Sequence, residues 1–321
     1  MKKIITSIII MILLLIITYE ILTESNTIIN CVSYSFEIWV NNLFPSMFPF
    51  FVLSDLLINY GLVEFISELL KPIFTYLFKT SKHSSFIFIM SMLSGFPSNA
   101  KYTKELYLQN KIDEKEASKI LMFSHFSNPL FILGTISISF LNNKKLGLIV
   151  LISHYLSNII IGLIVRNYNK FDTKEKFSIK RAILDMHNKR INNKHFGIIF
   201  TNAIINSINT LLLILGVVTT FLIISTIIDN NFHPSLSTKT IISSVLEMTQ
   251  GLKHASLLNI SDFNKTIIIT MILSFGGLSV HTQIISIISD TKIKYTPFLI
   301  ARILHVIISF ILCKILLKCF Y

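Results

Sequence analysis

The stretch Leu93-Ser94-Gly95-Phe96-Pro97-Ser98-Asn99-Ala100-Lys101 decides how this chain is read. It follows the apolar run at residues 84–92 with residues that suit neither lipid nor an unbroken helix. Gly95 and Pro97 break a backbone ladder, and Ser98, Asn99 and Lys101 are polar directly after the break. Inside a bilayer, irregular backbone persists only where protein buries it or where it lines a wet cavity. A similar stretch lies far downstream: Ser274-Phe275-Gly276-Gly277-Leu278-Ser279-Val280-His281-Thr282-Gln283. Laid over one another without gaps, the two regions agree at Ile87/Ile268, Met90/Met271, Gly95/Gly276, Ser98/Ser279, Lys111/Lys292 and Ile112/Ile293. In an isoleucine-rich chain the matched glycine, serine and closing Lys-Ile carry most of the weight. The expectation is a membrane protein of two related halves, each giving one broken hairpin (residues 265–290 in the second half) to a shared midplane site.

Composition supports the membrane. Of 321 residues, 52% are hydrophobic and only 14% charged, where a soluble domain carries about a quarter charged; mean hydropathy is +0.66. The net charge of +12 is assigned to loop lysines and arginines that fix orientation. No nucleic-acid motif accompanies it, so nucleic acid is not expected as a partner. Cys31, Cys313 and Cys319 form neither a paired framework nor a metal spacing. No metalloprotease, rhomboid-type, P-loop or dinucleotide motif is present. The chain is therefore expected not to be an enzyme and to need no cofactor or metal.

Read in order, Lys2 and Lys3 precede an apolar run without a small-residue cleavage site after it. An uncleaved anchor over residues 1–30 with its N-terminus inside is expected. A first membrane half follows over residues 31–165, with Glu64, Glu68 and Lys71 marking an amphipathic segment at the interface. Asp113 and Glu116 open a helix with capping-box character. That helix runs into Ser124-His125-Phe126-Ser127-Asn128-Pro129, a second polar break. Residues 166–196 read as a basic cytoplasmic loop, and residues 197–321 as the second half. That half opens with a polar stripe at Asn202, Asn206 and Asn209. It contains Glu247-Met248-Thr249-Gln250-Gly251 inside an apolar segment, residues 241–258.

The fold class is thus an all-α polytopic integral membrane protein, with pseudo-repeated halves, re-entrant hairpins and broken transmembrane helices. Candidate substrate-binding residues are Ser98, Asn99, Lys101, Ser127, Asn128, Glu247, Thr249, Gln250, Ser279, His281 and Gln283. Each polar group has a structural alternative, since hydroxyls and amides also satisfy backbone freed by a kink. Their clustering at breaks followed by helix N-termini favours an anion site. Glu247 is the costliest residue to place in hydrocarbon. His125 and His281 are expected as neutral imidazoles. Arg302 is expected either to neutralise Glu247 or a substrate, or to snorkel to the interface.

Ser94-Gly95-Phe96-Pro97-Ser98-Asn99-Ala100-Lys101, the run from Ser124 through Asn128-Pro129-Leu130-Phe131, and Gly276-Gly277-Leu278-Ser279-Val280-His281-Thr282-Gln283 carry a resemblance. With Pro297-Phe298-Leu299-Ile300-Ala301-Arg302 and Leu246 to Leu252, they resemble the YlbJ (SpoVV) family of sporulation integral membrane proteins, which carry the nucleoside-recognition Gate domain. The likeness runs from about Phe44 onward. It implies kinship with concentrative nucleoside transporters and a role in moving dipicolinic acid from mother cell towards forespore, across the outer forespore membrane. A nucleoside or another small organic anion is the alternative cargo. A non-transporting membrane scaffold of a sporulation complex is the alternative class, and an intramembrane enzyme ranks behind both. Expected partners are the lipid bilayer and a small anion, with a homo-oligomer or other sporulation membrane proteins left open.

Overall fold

The computed structural model describes residues 2–169, 177–191 and 195–321. Every described element is helical. Helix α1 (Lys2–Thr23) is apolar all round and exposes isoleucines and leucines on every side, as a lipid-solvated helix does. Helix α2 (Ser25–Ile38) passes through a π turn, Trp39–Leu43, into α3 (Phe44–Asn59), where Pro45 occupies the first turn. Helix α4 (Leu62–Ile73) is amphipathic, and its polar face is tied down: Glu64 meets Lys111 at 2.5 Å, and Glu68 meets Lys82 at 3.0 Å and Lys71 at 3.6 Å.

Two short helices, α5 (His83–Ser94) and α6 (Ser98–Leu108), then fold back on one another around Gly95-Phe96-Pro97, with Phe86 against Tyr102. Helix α7 (Glu114–Phe123) is capped by Asp113, which accepts from the Glu116 amide at 2.7 Å. The Glu116 carboxylate does not reach back to that cap. It takes bonds from the Ser81 amide and Ser84 hydroxyl instead, both at 2.6 Å. After the break at Ser124–Asn128 the chain continues as a π-helix, Phe131–Phe140. Asn143 then caps α8 (Lys144–Ile164).

The expected loop at 166–196 contains a helix, α9 (Ile179–Ile191), packed against α4. Lys170, Asp172, Lys174, Glu175, Lys176 and Lys194 of that stretch lie outside the described residues. Helix α10 (Phe196–Phe232) runs 37 residues, and its Asn206 and Asn209 face a cavity. Helices α11 (Leu236–Leu246) and α12 (Met248–Leu257) follow, then α13 (Asp262–Phe275), α14 (Gly277–Ile288) and α15 (Thr296–Phe320).

The second hairpin is not where the sequence match puts it. Helices α11 and α12 fold tightly together about Glu247, close enough that a Cβ on Gly251 would lie 2.5 Å from the Ser244 Cα. Helices α13 and α14 instead pack mainly on different neighbours, α15, α12 and α8 for the first, α10, α11 and α6 for the second. They form one broken helix, the counterpart of α7 and the π-helix. The order hairpin, broken helix, long helix therefore occurs twice, as α5–α6, α7–π, α8 and as α11–α12, α13–α14, α15. The corresponding offset is about 150 residues: Glu247 stands to Phe96 as His305 stands to His154. Gly95 and Gly276 are not equivalent.

The hairpins enter from opposite ends. Lys104–Asp290 (2.7 Å), Lys111–Glu64 and Lys79–Asn167 (2.7 Å) gather the open end of α5–α6. Lys239–Asp229 and Tyr321–Asp262, both 3.4 Å, mark the opposite end, where α11–α12 open. Among the described residues, six segments are long and apolar enough to cross a membrane: Ile4–Thr23, Ser25–Asn59, Lys144–Asn167, Phe196–Phe232, Asp262–Ile288 and Thr296–Phe320. The hairpins lie between them, with their tips buried.

Candidate functional site

Four interruptions meet in the interior. Gly95 adopts φ +80°, and a Cβ there would lie 2.6 Å from the Asn128 amide nitrogen. The first tip therefore closes directly onto the first helix break, fastened by the Phe96 amide donating to the Phe126 carbonyl at 2.7 Å. The second tip meets the second break in the same way: a Cβ on Gly277 would lie 3.0 Å from the Met248 nitrogen. His125 links the two pairs. Its ring stacks on Phe96 at 4.7 Å, abuts Phe298 at 5.0 Å, and lies beside Gly276. It is fully buried and neither ring nitrogen has a partner.

Beneath the breaks runs a buried network. Arg302 donates to the Met122 carbonyl at 2.7 Å and to Asn158 Oδ1 at 3.2 Å, and meets His305 Nδ1 at 2.7 Å. Asn158 donates to the His125 carbonyl at 2.7 Å, and His154 Nε2 accepts the Ser127 amide at 3.0 Å. The rings of His154 and His305 are 4.7 Å apart. Arg302 thus neither pairs with Glu247 nor snorkels: its guanidinium satisfies backbone that the first break sets free, and among the described residues it has no carboxylate partner. A spacing of His305 three residues after Arg302 is the signal that it belongs to a packed network.

The predicted residues divide into engaged and unengaged groups. Asn128 is a staple: its amide nitrogen donates to the carbonyls of Ser46 (3.1 Å), Leu93 and Ser94 (both 3.3 Å), and its Oδ1 caps Leu130 at 2.7 Å. Ser98 bonds within its own tip, to Gly95 and Ser94. The Ser127 main chain is held by His154 and Tyr155. His281 turns to the Tyr295 hydroxyl at 2.7 Å and the Phe275 carbonyl at 3.1 Å. Lys101 pairs with buried Asp55 at 2.8 Å while lining a cavity. Gln283 is buried on α14. Glu247 caps α12: its Oε2 accepts from the Thr249 hydroxyl and from the Gln250 amide at 2.9 Å, and the Ser279 hydroxyl lies beside it.

Unengaged are both polar atoms of the Asn99 side chain, Gln250 Oε1, Ser279 Oγ and the His125 ring, all in buried positions. Unsatisfied buried polar atoms are costly, and grouped ones call for a ligand. Two of them sit in the first turns of α6 and α14, which pack side by side and both run from the breaks towards the Lys104–Asp290 end. Neither helix N-terminus carries a side-chain cap. Two aligned open ends make a place for negative charge. A cavity of about 660 Å³ lies below it, lined by Lys101, Lys104, Glu105, Asn206, Asn209 and Ser286 among others. On the opposite side, about 240 Å³ is lined by Glu37, Asn41, Asn42, Thr249 and Lys253 among others.

This arrangement defines a class: an all-helical polytopic membrane protein with two opposed hairpins around a buried polar centre. The family model described as nucleoside recognition (Gate) matches residues 40–144, from the π turn through the first hairpin and broken helix to the start of α8. The chain is also 32% identical over 311 residues to the sporulation integral membrane protein YlbJ of Bacillus subtilis (strain 168), covering 89% of this chain and 76% of that protein. The chain belongs to the YlbJ family of sporulation integral membrane proteins. No solved structure matches it.

Proposed function

We propose that this protein is a carrier for a small organic anion, dipicolinate first among them, moving it from mother cell towards forespore across the outer forespore membrane. In this reading the two hairpins are re-entrant, dipping into the bilayer from opposite sides. The observation that carries the reading is the pair of open helix ends at α6 and α14, with the unpartnered Asn99 and the Ser279 hydroxyl beside Glu247 between cavities on opposite sides. Dipicolinate is a planar dianion at neutral pH, and amide and hydroxyl donors at two helix ends suit its carboxylates. Lys101 and Lys104 line the approach. Purified full-length protein in lipid vesicles is expected to exchange labelled dipicolinate, and Asn99→Ala combined with Ser279→Ala to abolish that exchange. Exchange that survives both substitutions refutes the reading.

A nucleoside is the second reading, motivated by the nucleoside-recognition match over residues 40–144. Unlabelled uridine or adenosine competing as well as dipicolinate in the same vesicles would favour it.

A further inference from the structure

Glu247 stands where an incoming anion has to settle. It caps α12, with the Thr249 hydroxyl and Gln250 amide both donating to Oε2, so Oε1 is the oxygen left to take a proton. The Ser279 hydroxyl beside it belongs to the first turn of α14, one of the two open helix ends. A carboxylate bound at that helix end therefore lies close to the Glu247 carboxyl group, and both Glu247 and Ser279 are buried. Two like charges so placed cannot both persist, and one of the pair takes a proton.

Nothing nearby offers another remedy. Among the described residues Glu247 forms no ion pair. On α14, His281 has both ring nitrogens engaged. On α12, Lys253 lies over the Tyr34 ring and His254 meets Ser243. Lys239 of α11 pairs with Asp229 of α10 at the far end. On α13, Asp262 meets Tyr321, and Lys265 stands in the same first turn, remote from the tip. Arg302 of α15 and His125 lie at the first break; the two terminal guanidinium nitrogens are taken by Met122, Asn158 and His305, Nε has no hydrogen-bond partner, and among the described residues no contact joins Arg302 to Glu247.

We propose that Glu247 takes up a proton each time the site takes up an organic dianion, so that the two cross together. The inference rests on the anion reading of the site. In the empty protein the carboxyl group is held by the end of α12, where the Thr249 hydroxyl and the Gln250 amide both donate to Oε2. When the dianion arrives at α6 and α14, the proton enters on Oε1 and the pair carries one negative charge less. Release at the other side frees both, and Glu247 resumes its cap.

The test uses full-length protein in vesicles of phosphatidylcholine and phosphatidylglycerol, with labelled dipicolinate outside, a pH-sensitive dye inside, and potassium with valinomycin to hold the voltage at zero. Dipicolinate entry is expected to acidify the lumen, one proton for each molecule. Above the pH at which Glu247 titrates, half-saturation is expected to rise about tenfold per pH unit, as linkage of one proton requires. Glu247→Gln is expected to flatten that slope whatever its absolute rate. Wild-type protein that carries dipicolinate without acidifying the lumen overturns the proposal, as does a Glu247→Gln variant that keeps the slope. A slope removed by His125→Gln and kept by Glu247→Gln puts the proton elsewhere and also overturns it. Wild-type protein that exchanges no dipicolinate at any pH overturns the anion reading itself, and the coupling with it.

Discussion

The two hairpin tips solve one problem with different chemistry. Each must turn a helix back inside the protein and satisfy the amides left open at the start of the returning arm. The α5–α6 tip turns on Gly95, in a conformation reserved for glycine, and leaves the start of α6 without a side-chain cap. The α11–α12 tip turns on Glu247 in ordinary extended backbone, φ −139° and ψ 114°, and fills the start of α12 with the residue's own carboxylate. Position for position, Ser98-Asn99 corresponds to Thr249-Gln250, a hydroxyl followed by an amide in both. The second tip thus carries a carboxyl group as its own cap, and the first carries no side-chain cap. A pseudo-symmetric scaffold is made asymmetric at its two tips by a single side chain.

The comparison breaks most readily at Gly95. Gly95→Ala meets the Asn128 backbone at 2.6 Å and a forbidden φ together, so a loss of more than about 3 kcal/mol is expected. Thermal melting in detergent measures it, and a melting point near wild type would refute the packing of tip on break. Next in size is Arg302→Ala. It frees the Met122 carbonyl and Asn158 inside the protein, at a cost of about 3 kcal/mol, readable in the same melts. A guanidinium that merely snorkelled would cost little.

Asn99→Ala sharpens the contrast from the other side. Its amide is unpartnered, so stability is expected to hold or rise slightly. Anion affinity should fall tenfold or more, given about 1.5–3 kcal/mol for a hydrogen bond to a charged group. Calorimetry on the purified protein separates the two. Destabilisation without loss of binding would make Asn99 structural.

The smallest expected effect lies on the polar face of α4. Burial pushes the Glu68 carboxyl up, but the Lys82 hydrogen bond and the charges of Lys82 and Lys71 outweigh it and hold it below the ordinary range. The stabilisation is therefore complete above the unfolded value of 4.5 and is lost as pH falls through the depressed folded value. Melts below pH 4.5 should drop more steeply for wild type than for Lys82→Ala, by about 1 kcal/mol. Parallel curves would show the pair to be idle.

Much of this was legible in the chain. Gly95 and Pro97 announce the first tip because that tip needs residues with unusual backbone. Ser124 to Pro129 announces the first break for the same reason. The second tip sends no such signal, since extended backbone at Glu247 is open to any residue, and residues 241–258 read as one segment. Gly276 and Gly277 meanwhile imitate Gly95, which drew the second hairpin about thirty residues too far along. The costly carboxylate was the clue that stood in the right place. Asn128, Ser98 and His281 look like ligands in sequence because a staple and a ligand use the same atoms. Only coordinates show those atoms already spent, and the His125 ring still free.

The position of Arg302 also limits how the molecule can deform. Its guanidinium sits on α15 yet grips Met122 of α7 and Asn158 of α8, so the seam is a rivet and not a bearing. Rolling one repeat over the other there would strip a charge bare in a dry interior, at about 3–5 kcal/mol. Any motion of one repeat against the other therefore has to leave that seam intact.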